Sequence, residues 1–343
     1  MGSRPTIADL AREAGVSVAT VDRVLNARHR VREETARRVY EAAHRIGYHA
    51  ASVIKQRLQA ELPEMRLGFI LQKERQSFYR AFAAEIEEAV RLAPGIRGRA
   101  MIEFATTQSA SETAGLIEEL GGRVQAVGAT AINHHAITEA VHHLKSRGVP
   151  TFALLNDFAQ GVRENYIGLN NLKVGRIAAW MISKAARRAG KVAIFVGGHR
   201  WHGHELRETG FRTYFREYAP QFEVLDTLIN LETRQLTHEA TLDLLDRHPD
   251  LQGFYVAGGG MEGAISAVRE VREPEELAIV VNEITPESRA GLLDRYVTLV
   301  NATPLRRLCG DLVALMVNAV ENGMAESPGQ RFLPADIYVP ESV

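Results

Sequence analysis

From the start of the chain, apolar residues recur at i, i+3, i+4 and i+7. Ile7, Leu10, Ala11 and Ala14 share one face, the spacing of an amphipathic helix. Thr6, with Asp9 three residues on, reads as a variant capping box, and Gly15 as the stop. A second helix is predicted from just after Ser17, "VATVDRVLN". It puts Val21, Val24 and Leu25 on one side and Val18, Ala19, Asp22, Arg23 and Asn26 on the other. A third is predicted over "REETARRVYEAAHRIG", with Ala36, Val39, Tyr40, Ala43 and Ile46 inward and Gly47 ending it. Three short helices can share one small core. A helix, a tight turn and a second helix is also the arrangement that offers a helix to the DNA major groove.

Beyond residue 60 the period changes. Pro63, in "AELPEM", marks a linker. "RLGFIL", "AMIEFA", "VQAVGA", "PTFALL", "KVAIFVGG", "FEVLDTL", "GFYVAG", "LAIVVN" and "YVTLV" then read as buried strands. Helical stretches at βαβ spacing separate them, which predicts an α/β body of parallel sheets covered on both faces. The body is too long for one doubly wound sheet, so two lobes with a cleft between them are expected. Ligands bind such sheets at the carboxyl ends of the strands.

The chain of 343 residues is 45% hydrophobic and 24% charged, an ordinary globular composition. It contains no apolar run long enough for a transmembrane helix, and the N-terminus lacks the apolar core of a secretory signal. The single cysteine, Cys309, excludes an intrachain disulfide framework and fits a reducing cytoplasm; in "RLCGDLVALMV" it reads as a buried small hydrophobe. The net charge of −1 conceals an asymmetry. Residues 1–60 hold 11 Lys+Arg against 6 Asp+Glu, and the remainder hold 30 against 36. A basic head on an acidic body points to a head that meets a polyanion. The alternatives are a chance asymmetry on a solvated surface and, for the three helices, a generic protein-binding head.

The stretch "TIADLAREAGVSVATVDRVLN…VREETARRVYEAAHRIGY" resembles the DNA-binding headpiece of the LacI/GalR family of bacterial transcription regulators. The family pattern, T-I-x-D-V-A-x-x-A-G-V-S-x-x-T-V-S-R-V-L-N, lies on Thr6 to Asn26. The resemblance implies that Val18 and Ala19 read base edges, with Arg23 as the third reader. It also places Thr6, Ser17, Thr20, Asn26, Arg28 and Arg30 among the DNA contacts. An arginine can bond guanine in bidentate fashion, and small apolar side chains suit a thymine methyl. Two residues depart from the pattern. Asp22 replaces a serine; a carboxylate there weakens non-specific binding, pairs with a neighbouring arginine, or accepts from a cytosine amino group. Ala50 replaces the proline that precedes the family's hinge helix, whose leucine wedges into the minor groove. Counting from Gly47, Arg57 falls at the wedge position and Leu58 one residue late.

The body resembles, more loosely, the type I periplasmic sugar-binding fold that these regulators carry. "QSFYRAFAAEIEEA", "YIGLNNLKVGR", "HELRETGFR" and "VNEITPE" are similar to its strand-end motifs. The resemblance implies an effector pocket with Phe78 and Tyr79 stacking on a sugar. It puts Asp157 and Asn170 at the hinge, Arg207 and its neighbours Trp201, His204 and Glu205 in the second lobe, and Met261, Asn282 and Glu283 opposite. In this alignment Glu205 takes the place of a sugar-gripping arginine and Gly258-Gly259 that of an Asn-Asp pair. An acidic site without that arginine suits a neutral sugar or polyol better than a phosphorylated one.

Two further stretches invite enzyme or cofactor readings. "GGHRWHGHE" brings His199, His202, His204 and Glu205 together, but no fixed helical metal pair appears, and it reads as a loop after a strand. Gly258-x-Gly260-x-x-Gly263 matches the dinucleotide fingerprint, with Glu283 twenty residues after Gly263. That match makes a redox-sensing regulator the alternative function. No nucleophile triad, P-loop or carboxylate pair is found, so no enzyme, cofactor or metal is expected. A sugar-binding transport protein is the further alternative, opposed by the head and the N-terminus. The expectation is a cytoplasmic, homodimeric, ligand-responsive repressor of a sugar or polyol operon. Its partners would be double-stranded operator DNA and a small polyhydroxylated effector, with no membrane. Three segments follow: 1–49 as the helix-turn-helix domain, 50–64 as hinge helix and linker, and 65–343 as the effector domain. Within the last, lobe 1 covers about 65–169 and 302–322, and lobe 2 about 170–301 and 323–343. The final "IYVPESV" carries no heptads, which favours a dimer over a tetramer.

Overall fold

The structure, a computed structural model, describes residues 5–26, 31–54, 62–198 and 200–343. It divides into two compact units, Met1–Met65 with Ala93–Arg99, and Arg66–Leu92 with Ala100–Val343.

The first unit contains α1 (Ile7–Ala14), α2 (Val18–Asn26) and α3 (Glu33–Arg45). The capping box at Thr6 forms as read. Thr6 Oγ1 accepts from the Asp9 N–H at 3.3 Å, and the Asp9 carboxylate accepts from the Thr6 N–H at 2.9 Å. Gly15 ends α1 in the left-handed region, at φ 63°, where a side chain would be strained. Arg38 of α3 then donates to the Ala14 and Gly15 carbonyls at 2.9 and 3.1 Å, which fixes the turn into α2. Leu10, Val21, Val39, Ala42 and Ala43 are sealed in the core. Tyr40 and Ile46, expected inside, are only partly buried. A helical turn over 51–54 adds the sealed Ile54 to this core, so the segment read as the start of a hinge packs onto the head.

The body runs β1 (Glu64–Gln72), α4 (Ser77–Leu92), β2 (Arg97–Ala105), α5 (Ala110–Gly121), β3 (Ala126–Ala129), α6 (His135–Ser146), β4 (Thr151–Leu154) and β5 (Asn165–Leu169). It continues with α7 (Asn171–Ala185), β6 (Lys191–Val196), α8 (His202–Tyr218), β7 (Glu223–Val224), β8 (Leu228–Ile229), α9 (Arg234–Arg247), β9 (Leu251–Val256) and α10 (Met261–Val271). Last come β10 (Ala278–Asn282), α11 (Pro286–Leu293), β11 (Leu299–Ala302), α12 (Leu305–Asn322), β12 (Gly329–Leu333) and β13 (Asp336–Tyr338).

Among the described residues the strands form two sheets, one per lobe. The first is ordered β12-β5-β4-β3-β1-β2 and the second β13-β11-β10-β9-β6-β7, with β8 also on β6. The central pairings are parallel, and β13 runs antiparallel to its neighbour β11. This is the expected pair of doubly wound lobes. The chain crosses between them after β5, after β11 and after β12. The last crossing falls at residues 333–336 rather than at 323, because β12 pairs with β5 along Gly329–Leu333 and returns that stretch to the first lobe. α12 packs on α4 with Leu308, Cys309, Leu312 and Met316 sealed. Cys309 is a buried free thiol, as read, and burial pushes its pKa up.

Candidate functional site

On α2, Val18, Ala19 and Arg23 are exposed while Val21 and Val24 are buried. Ser17 Oγ accepts from the Thr20 N–H at 3.2 Å and lies 2.9 Å from Thr20 Oγ1, so both are engaged in starting the helix. Thr6 is similarly engaged with Asp9. Arg23 Nε donates back to the Ala19 carbonyl at 3.2 Å, which holds the stem along the helix and leaves both terminal nitrogens for a partner. Asp22 accepts from Asn26 Nδ2 at 2.6 Å. Of the readings open for Asp22, its described partner is therefore an amide one turn away and not an arginine. Arg28, Arg30, Arg57 and Leu58 lie outside the described residues.

Between the two lobes of the body lies a cavity of about 110 Å³, counted as space open to the centres of water molecules. That is about 7–11 water-sized positions, the scale of a monosaccharide. Eight of the residues singled out from the sequence line it: Phe78, Tyr79, Trp201, His204, Arg207, Met261, Asn282 and Glu283. Most stand at strand ends or first helical turns. Phe78 and Tyr79 open α4 and meet edge to face, with centroids 5.2 Å apart. Trp201 precedes α8 of the second lobe, yet its ring belongs to the core cluster of the first. Beside it the Gly203 N–H donates to Asn156 Oδ1 across the lobes at 2.8 Å.

Three residues expected at the pocket are not on its lining. Asp157 is buried against Arg163, with Nε–Oδ1 at 2.5 Å and Nη2–Oδ2 at 2.9 Å, and serves the loop beneath β12. Asn170 does stand at a crossing between lobes, where its side chain caps α7 by accepting from the Lys173 N–H at 3.1 Å. Glu205 is half exposed and near His202. The reason is helical phase. "HGHELR" is the start of α8 and not a loop, so His204 and Arg207, three apart, share the cavity face and Glu205 turns away. Arg207 is thus the arginine at the cavity. Its Nε donates to Asn171 Oδ1 at 2.7 Å and its Nη1 to the Ala257 carbonyl at 2.5 Å. No described carboxylate pairs with it directly.

The sequence reading missed Thr130, Asn156, Glu232, Glu262 and Thr303, all on the lining. Glu232 Oε2 lies 2.8 Å from Lys73 Nζ of the other lobe, and Oε1 accepts from the Gly259 N–H at 3.1 Å. Burial alone would raise this carboxyl, but neighbouring His204 and Lys73 and the two hydrogen bonds outweigh it and hold the pKa at about 2. His204 is the opposite case. Burial, with Arg207 and Lys73 nearby, outweighs the pull of Glu232 and depresses its pKa to about 4. Its Nδ1 accepts from the Gly197 N–H at 3.1 Å, so the neutral ring carries its proton on Nε2, which faces Glu232 Oε1 at 3.6 Å. Both Glu283 oxygens accept from Thr303, at 2.6 and 2.7 Å, and burial pushes its pKa up. Asn282 accepts from the Tyr255 hydroxyl and donates to the Asn301 carbonyl at 3.1 Å. Burial also raises the Tyr79 phenol, with Glu232 and Glu283 adding to it. Thr130 Oγ1 is buried with no partner.

The fingerprint glycines serve packing. Gly260 adopts φ 93° before α10, and a Cβ on Gly263 would fall 2.0 Å from the Arg234 carbonyl oxygen. The Gly259 N–H, which would face a pyrophosphate, is already taken by Glu232. Among the described residues no group of three or more His, Cys, Asp or Glu is placed to hold a metal ion. Nor is any described helix long and apolar enough to cross a membrane.

A helix-turn-helix head with an exposed second helix, on a chain whose body is two α/β lobes around a cleft, defines a DNA-binding protein class with a ligand-binding body. Residues 6–50 match the description "bacterial regulatory proteins, lacI family", and residues 67–322 match "periplasmic binding protein domain". The chain carries a lacI-family regulatory domain as its head, and over most of its length it belongs to the periplasmic binding protein domain family. It is 25% identical over 283 residues to the HTH-type transcriptional regulator GntR of Pseudomonas aeruginosa, covering 81% of this chain and 79% of that one. With the regulator CelR of Thermobifida fusca the identity is 25% over 353 residues, 99% of this chain and 98% of the other. Among solved structures, a solute-binding protein from Burkholderia graminis in complex with D-arabinose superposes with TM-score 0.73 at 17% identity, covering 82% of this chain and 97% of that one. One from Actinobacillus succinogenes with bound D-allose gives TM-score 0.73 at 17% identity, over 81% and 98%. At that identity the likeness is one of fold.

Proposed function

We propose that this regulator is a cytoplasmic, homodimeric repressor of a sugar or polyol operon, and that its effector is a neutral, polyhydroxylated small molecule bound in the cleft between the lobes. The observation that carries the reading is the lining itself. Aromatic faces at Phe78, Tyr79 and Trp201 stand beside the donor Arg207, the acceptor Glu283 and the unpartnered Thr130 hydroxyl. Aromatic faces match sugar C–H groups, and hydroxyls both donate and accept, so a polyol satisfies such a mixed wall. The fold neighbours with bound D-arabinose and D-allose support the same class. A coupling of about 1–3 kcal/mol between cleft and head, about 5–150-fold in operator affinity, is enough for regulation. Val18, Ala19 and Arg23 are the proposed base readers, and a pseudo-palindromic operator calls for two heads. No catalytic step is assigned.

Thermal unfolding of the full chain against a panel of neutral sugars and polyols tests the effector. A true ligand at a hundred times its Kd stabilises by about 2.7 kcal/mol. Stabilisation only by phosphorylated sugars or by NAD would overturn the neutral class. Sedimentation at micromolar concentration tests the dimer.

A further inference from the structure

The loop after β8 holds Leu231 and Glu232 in the left-handed region, at φ 48° and 54°. Non-glycine residues enter it at a cost, so contacts must hold them there. The sealed Asn230 supplies these: its Oδ1 accepts from the Glu232 N–H at 2.9 Å and its Nδ2 donates to the Gly259 carbonyl at 3.0 Å. The turn drives the Glu232 side chain inward to the carboxyl ends of β6 and β9. Three glycines leave it room. A Cβ on Gly197 would fall 2.4 Å from Glu232 Cγ, one on Gly258 would fall 2.9 Å from Oε1, and one on Gly259 would fall 3.0 Å from Glu232 Cβ. In that cradle the carboxylate takes the Gly259 N–H, the Lys73 ammonium from the other lobe, and a place opposite His204.

A strand end, a free backbone N–H ahead of a helix and a lysine are what an α/β crevice uses to bind a ligand's anionic group. Here the chain supplies that group itself. We infer that Glu232 is an internal counter-anion that sets the charge selectivity of the cleft: it fills the place of a ligand carboxylate or phosphate and thereby excludes sugar acids and sugar phosphates. This inference rests on the cleft being the effector site. Formal charges run the same way. Arg207 shares the lining with Glu232, Glu262 and Glu283, and with Lys73, the ion-pair partner of Glu232 beside the cavity, counted in, the site is one charge negative. Without Glu232 it balances, and Lys73 loses its ion-pair partner.

The test uses the full chain as wild type, Glu232→Gln, Glu232→Ala and the double variant Glu232→Ala/Lys73→Met. Circular dichroism confirms the fold of each. Calorimetric titration is made with inorganic phosphate, D-gluconate and D-glucose 6-phosphate, and with a neutral polyol panel. The expected result is no detectable anion binding by the wild type and at least a tenfold gain for one or more anions in a folded single variant. Adding Lys73→Met removes the gain. Glu232→Gln keeps the shape and loses only the charge, so it covers the case in which Glu232→Ala fails to fold. Anion binding by the wild type as tight as by the variants overturns the inference, as does a folded variant that gains nothing. Phosphate needs no sugar site and reads the cradle alone. A cleft that binds no polyol but gains phosphate in the variants therefore fails as a sugar site while the role of Glu232 stands.

Discussion

Arg163 grips Asp157 side-on. Nε and Nη2 bond the two carboxylate oxygens at 2.5 and 2.9 Å, and the side chains are only 3% and 7% exposed. Arg163 Nη1 also donates to the Gly329 carbonyl at 2.7 Å, and Gln330 donates to Asp157 at 3.3 Å, so the pair clamps the start of β12 to the first lobe. Removing one member leaves the other charge buried without a counter-charge. Asp157→Ala is expected to cost about 3–5 kcal/mol of stability in chemical denaturation. The folded fraction should bind effector as the wild type does. A stable variant with weakened ligand affinity would instead return Asp157 to the pocket.

Arg23 is exposed on α2, tethered only through Nε to the Ala19 carbonyl. Its two terminal nitrogens are the pair that bidentate guanine recognition uses. Arg23→Ala should cost about 1–3 kcal/mol at one operator base pair and flatten preference there, read by fluorescence anisotropy over single-base operator variants. An equal loss on every sequence would make Arg23 a phosphate contact. The described partner of Asp22 is the Asn26 amide and not a cation, so Asp22→Ser should raise non-specific affinity and steepen the salt dependence.

Much of this was legible in the sequence because it is local. The caps at Thr6 and Gly15 and the 3.6-residue period of the head lie within a few residues of each other. The buried strands of both lobes are apolar runs. β5 and β12 were not legible as strands. Asn165 and Gly168 interrupt the first, and Gln330 and Arg331 of the second are exposed; both are fixed by pairing with distant partners. Glu232 reaches the cleft through a left-handed turn held by Asn230, a tertiary effect without a local signature. The misplacement of Glu205 had a readable remedy. With α8 started at His202, the three-residue spacing selects His204 and Arg207 instead.

The cavity arginine and the misaligned glutamate give opposite expectations. Arg207 is held by Asn171 and the Ala257 carbonyl, so its orientation is fixed before a ligand arrives. Once the effector is found by the stabilisation panel, Arg207→Met should weaken it by about 1.5–3 kcal/mol, the worth of a hydrogen bond to a charged group. Glu205→Gln, half exposed on the far side of the helix turn, should change affinity by under about 0.5 kcal/mol. Calorimetry that found the order reversed would place Glu205 in the cleft and Arg207 outside it.

His204 makes the stability of the body depend on pH in a window of its own. In the folded chain burial depresses its pKa to about 4, against 6.5 for an unperturbed histidine. Between those values the unfolded chain binds the proton more readily, so stability rises with pH there. The contribution is whole above about pH 6.5, falls as the pH drops through the window, and is spent near pH 4. The full difference is worth at most about 3 kcal/mol. Glu232 acts lower down. Its pKa, held at about 2, stabilises the fold above 4.5 and loses its effect only as the pH falls toward 2. Denaturant melts of the wild type from pH 7.5 to 4 should therefore lose stability more steeply than those of His204→Gln, which cannot titrate. The two curves should run parallel above pH 7, where the ring is neutral in both states. Equal slopes between pH 6.5 and 4 would mean that His204 is protonated as readily in the fold as in the unfolded chain, and that the imidazole facing Glu232 is charged.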